Sequence, residues 1–206
     1  MEPRAHDPYR WQPSPERPAE PWPPGGPGLP GWLEERLFDQ RIVMIRGSLT
    51  GTSATQTAAA LLTLDALGTD PVQLHVASAD GELVAAFTVI DALDAMSAPV
   101  HAVVTAQAGG AVIGVLAAAD RRLAYRHARL HLIEPRASAV SGTADVVAAA
   151  AGQHLRELEE LVLRVAAVTG QTRSRVEDDL SAGRILSSAE ALAYGLIDAV
   201  VGDGDR

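Results

Sequence analysis

Two glycine-bearing segments could do chemistry with main-chain atoms. Ala106-Gln107-Ala108-Gly109-Gly110-Ala111-Val112-Ile113-Gly114 follows an apolar run ending at Thr105 and leads into small residues. A strand-to-helix turn of this kind brings backbone N–H groups to a helix N-terminus, where an anion or developing oxyanion can be held. Close packing of a helix on a strand through small residues requires the same composition, so both readings stand at this point. Ser78-Ala79-Asp80-Gly81-Glu82 has the same context, with Gly81 placed to bring its N–H near the first turn of the next helix.

The side chains offer less. There is no G-x-G-x-x-G after a strand, no G-x-x-x-x-G-K-[ST], no H-E-x-x-H and no G-x-S-x-G. His127 and His131 are four apart, but the alternation around them reads as strand, so they need not share a face, and no metal or cofactor is expected. His75 and His101 sit inside apolar strands and read as buried, hydrogen-bonded neutral rings. Glu157, Glu159 and Glu160 with Arg156 and Arg164 read as a solvated helix face, with Glu160 and Arg164 at favourable i,i+4 spacing.

Composition bounds the function classes. The 206 residues carry no cysteine, which excludes a disulfide scaffold, a thiolate nucleophile and cysteine-ligated metal. The net charge is −9 with no basic block, arguing against nucleic acid as a partner. No apolar run is long enough to span a membrane, and the N-terminus lacks a signal-peptide pattern. A soluble cytoplasmic protein is the expectation. All basic residues are arginine.

These residues need elements to position them. Ten of the 13 prolines fall in residues 1–30, which are expected to be a flexible tail, with residues 31–206 forming one domain. Trp11, Trp22 and Trp32 lie in or beside the tail and make it a candidate docking segment. Strands are expected at 41–45, 72–77, 100–105, 130–133 and 196–200. Helices are expected at 53–67, 83–96, 111–119, 143–168, 173–180 and 188–194. Apolar strands alternating with helices predict an α/β fold with parallel strands covered by helices.

From Arg36 to Val201 the motifs resemble the ClpP family, the proteolytic subunits of the caseinolytic Clp protease (serine peptidase family S14). RLFDQRIVMIRGSL resembles R-L-L-x-E-R-I-I-F-L-G. SADGELVAAFTVIDAL resembles S-P-G-G-S-x-x-A-G-x-x-I-Y-D-x-M, and AQAGGAVIGVLAAAD resembles G-Q-A-A-S-M-G-A-x-L-L-A-A-G. RLAYRHARLHLIEP resembles R-x-A-L-P-H-S-R-x-M-I-H-Q-P, and SSAEALAYGLIDAVV resembles S-A-x-E-A-x-E-Y-G-L-I-D-x-V. The resemblance implies the ClpP/crotonase-like fold, a repeated β-β-α superhelix with a long protruding handle helix.

It also implies a Ser-His-Asp triad, in which a serine attacks, a histidine moves the proton and an aspartate orients the histidine. In this chain the serine position is Gly110, the histidine position is Ile133 and the aspartate position is Gly183. None of the three can serve; Asp178 and Asp179 lie near the third. The family's oxyanion hole uses backbone N–H groups that fall on Gly81 and Ala111, and a backbone donor survives a change of side chain. Asp80 stands where the family has the first glycine of its pair, and a carboxylate there opposes an oxyanion.

The expectation is a non-catalytic, ClpP-like subunit of an ATP-dependent Clp-type protease. By resemblance its partners would be active ClpP paralogues in a heptameric ring and a Clp-type unfoldase ATPase. One alternative is a serine endopeptidase with rearranged groups, using Ser78, Ser138 or Ser141 with His131. A second is a crotonase-type acyl-CoA-binding protein that needs only the two N–H donors. A third is a homo-oligomeric scaffold outside proteolysis.

Overall fold

A computed structural model of the chain describes residues 29–137 and 139–202. In order it contains α1 (Gly31–Asp39), β1 (Ile42–Arg46), α2 (Gly51–Leu67), β2 (Val72–Ser78), α3 (Leu83–Ala95), β3 (Val100–Gly109) and α4 (Val112–Ala118). There follow β4 (Arg121–Tyr125), β5 (Arg129–Leu132), α5 (Ala144–Thr169), α6 (Arg173–Ala182), β6 (Arg184–Ser187), α7 (Ser188–Tyr194) and β7 (Ala199–Val201). The tail expected over 1–30 lies almost wholly outside the described residues; Trp32, beside it, is on α1 and exposed.

The α/β fold is present. Strands run parallel in the order β1-β2-β3-β4-β7, while β5 pairs with β3 in parallel and with β6 antiparallel. Helices α2, α3, α4 and α5 pack in sequence on one another. The core gathers Leu61 and Leu64 of α2, Val72, Leu74 and Val76 of β2, Val89 and Ile90 of α3, Ile113 and Leu116 of α4, and Leu161 and Val165 of α5.

Helix cover is one-sided on β1 and β2. Val72, Leu74 and Val76 are buried, whereas Gln73 is exposed and His75 is half-buried, so successive side chains face different environments. The expectation that His75 and His101 are buried is therefore corrected: both are half-buried. His75 Nε2 lies 3.1 Å from Gln73 Oε1, and partial burial holds its pKa below the ordinary imidazole value.

The segment 100–105 continues as strand to Gly109. β3 first pairs with β4, His101 opposite Arg121 through Val104 opposite Ala124. Between Val104 and Ala108 its register against β2 shifts, with Val76 opposite Val104 but Ser78 opposite Ala108. Two extra residues bulge out there, and beyond them β3 pairs with β5. The end of β3 is thus a fork in the sheet, the kind of place where α/β sheets carry their sites.

Three elements were not expected. α1 buries none of its residues, so its pattern carries little signal. β4 opens on Arg121 and Arg122, charges that mask a strand; Arg122 binds Asp198 at 2.5 Å. β6 is four residues long and half-exposed. The last strand starts at Ala199 rather than 196 because Leu196 and Ile197 N–H groups donate to Ala191 O, closing α7 after Gly195.

Helix α5 is capped by Thr143, whose hydroxyl accepts from Val146 N–H, and it stops at Gly170 in the left-handed region. Its C-terminal half holds its buried residues, Leu161, Val162 and Val165, while Val146, Val147 and Leu155 toward the N-terminus are exposed. That distribution is the one a handle helix would show. No described helix is long and apolar enough to cross a membrane.

Candidate active site

The turn from β3 to α4 positions the site. Gly109 admits no side chain, because a Cβ there would collide with the Ala79 carbonyl oxygen and lie 3.0 Å from His131 Cβ. β2 and β5 therefore close on β3 from both sides at this residue. Gly110 follows at φ 55, a left-handed conformation that favours glycine. Its N–H donates to His131 O at 3.3 Å.

A Cβ built on Gly110 locates the other expected residues. It would lie 3.7 Å from Asp80 Cα, 3.9 Å from Gly81 N and 4.0 Å from Ile133 Cγ2. Positions 110, 81 and 133, separated widely in sequence, thus meet at one point. β5 and β6 run antiparallel with Leu132 opposite Arg184, which carries Ile133 and Gly183 to the same end of that ladder. Gly183 caps α6 at φ 69, and open space lies where its side chain would be.

The donors at this point are free of internal partners. Leu49 pairs with the strand of Gly81 from one side: Leu49 N–H donates to Asp80 O at 3.1 Å, and Glu82 N–H donates to Leu49 O at 2.9 Å. In extended chain the N–H of the residue between them points the other way. Among the described residues neither Gly81 N–H nor Ala111 N–H has a main-chain acceptor. Both residues are buried. Buried N–H groups are normally paired, so these two are candidate donors to an incoming carbonyl oxygen.

Asp80 does not stand alone beside that space. Its carboxylate is ion-paired with Arg136. Ser78 is fully buried, and its hydroxyl donates to Asp80 O at 2.8 Å, fixing the turn that presents Gly81. His131 is half-buried on β5 between Gly109 and Ile185. Ser141 is exposed on the approach to α5, and Ser138 lies outside the described residues.

The neighbouring aspartates are placed elsewhere. Asp178 is exposed and lines a groove between α5 and α6 with Leu155, Glu159, Arg173 and Glu177. Asp179 is buried, receiving Arg175 Nε at 2.9 Å, Arg184 Nη1 at 3.2 Å and the Tyr194 hydroxyl at 3.0 Å. Burial, then the bond to Asp179, pushes the Tyr194 phenol up to about 12. This cluster ties α6, β6 and α7 together and went unseen in the sequence; the i,i+4 spacing of Arg175 and Asp179 was its one signal.

Comparison with known proteins agrees with the motif resemblance. A family model described as Clp protease matches residues 32–204. The ATP-dependent Clp protease proteolytic subunit of Streptococcus agalactiae serotype V is 29% identical over 173 residues, covering 82% of this chain and 88% of that protein. Proteolytic subunit 1 of Chlamydia muridarum is 30% identical over 176 residues, covering 82% and 90%. Proteolytic subunit 1 of Rhodococcus jostii is 30% identical over 171 residues, covering 81% and 77%.

Proposed function

The chain belongs to the Clp protease family as a ClpP-like subunit, and from that premise we propose that it is a non-catalytic member acting in a mixed ring with active paralogues. The observation that carries the reading is the meeting of positions 110, 133 and 81 with glycine and isoleucine where reactive groups would be needed. Acyl transfer by a serine peptidase needs a nucleophile whose proton a base removes. Glycine has no atom to attack with, and isoleucine has none to accept a proton. A carbonyl seated on Gly81 and Ala111 N–H groups would be polarised but not attacked, leaving only residual catalysis.

Structural support for the ring role comes from what is retained. The sheet, the fork at β3 and α5 with its exposed Val146, Val147 and Leu155 are intact. A Clp-type unfoldase ATPase is the further partner, and the cytoplasm the compartment, of such a complex. A rearranged peptidase built on Ser78 is disfavoured because Ser78 is fully buried and its hydroxyl is engaged.

Co-expression with the active proteolytic subunits of the same cell, followed by native mass determination, tests the assembly. The expected result is a ring whose mass requires both chains. A chain that forms only its own oligomer in the presence of those subunits contradicts the mixed ring.

A further inference from the structure

A peptide could bring a carbonyl to Gly81 and Ala111 by adding as an extended strand along the edge of 80–82. Residues 80–82 flank the site on one side, and residues 133–137 flank it on the other. The outer edge of 80–82 already pairs with Leu49, so the inner edge alone is left for strand addition. Strand addition requires such an edge to be unpaired.

Here the inner edges meet at a single bridge. Glu82 and Arg136 lie opposite one another as in a parallel sheet. The Arg136 guanidinium is ion-paired with Asp80, two residues back along the facing segment. We propose that Arg136, anchored on Asp80, latches 133–137 against 80–82 and holds the peptide slot of this subunit shut. The proposal rests on the non-catalytic reading: a subunit that cannot cleave is also kept from retaining polypeptide. It gives Asp80 a role, since a glycine at that position offers Arg136 no anchor.

The latch is reversible by construction. The Arg136 side chain is 76% exposed and that of Asp80 36%, so the ion pair is solvent-screened and weakens as salt rises. Low ionic strength therefore favours the shut state.

The absence of cysteine makes a direct test available. Residues opposite each other on paired strands are within disulfide reach, so Glu82→Cys with Arg136→Cys in the full chain should cross-link on mild oxidation. Binding is read at low salt by fluorescence anisotropy with fluorescein-labelled casein. Wild type and the oxidised double variant are expected to bind weakly. The reduced double variant, Arg136→Ala and Asp80→Gly are expected to bind at least about fivefold more tightly. Failure of the disulfide to form overturns the proposal, as does equal binding by wild type and Arg136→Ala, or binding by none of the variants. Cleavage of the labelled casein by wild type is a separate readout and would instead refute the non-catalytic reading.

Discussion

Gly110 keeps φ 55 at the end of β3, a conformation set by the closeness of β2 and β5 at Gly109. A Cβ at 110 meets nothing closer than 3.7 Å, so adding one costs conformational strain rather than collision. Gly110→Ser should lose about 1–2 kcal/mol from the left-handed backbone, read by urea denaturation. It should stay unlabelled by a fluorophosphonate, because Ile133 cannot take the proton. Gly110→Ser combined with Ile133→His and Gly183→Asp should label at position 110, since Gly81 N lies 3.9 Å from a Cβ there and Ile133 Cγ2 4.0 Å. Gly109→Ala differs in kind: its Cβ collides with main chain, and a loss of about 1–3 kcal/mol is expected from overpacking. At this scale the sequence was informative. Motif position alone put 110, 133, 81 and 111 in one site. What it could not supply was the partner of Asp80, because the contact with Arg136 spans 56 residues and depends on the course of the loop after Ile133.

Among elements, the cluster around Asp179 holds α6, β6 and α7 in place, and its pH dependence follows from Tyr194. The phenol titrates near 10 in the unfolded chain and at about 12 in the folded one. Between those values the folded state binds more protons than the unfolded, so stability falls as pH rises from about 10 to 12. Denaturation midpoints across that range should drop more steeply for wild type than for Tyr194→Phe. The helices with strong caps were legible: α2 stops at Gly68, and α5 begins after Thr143 and stops at Gly170. Strands marked by apolar runs were legible too, apart from their ends. β4 and β6 were hidden because charged side chains sit on them, Arg121, Arg122 and Arg184, two of them held by ion pairs, Arg122 to Asp198 and Arg184 to Asp179. The bulge in β3 was hidden because Thr105–Gln107 looks like a turn until β5 takes over as its neighbour.

For the whole molecule, a Clp protease family fold carries glycine, isoleucine and glycine at positions 110, 133 and 183, and the proposed reading is a subunit that does not itself cut peptide bonds. A mixed ring containing this chain should show peptidase activity proportional to its content of active subunits, measured by native mass and peptide turnover on the same preparation. The one-sided helix cover leaves Gln73 of β2 exposed and His75 half-buried on the face away from the core. Intact-mass spectrometry of the purified chain after incubation with a fluorophosphonate tests the central claim most directly. No mass increase is predicted for wild type. A single stoichiometric adduct on any serine would contradict it.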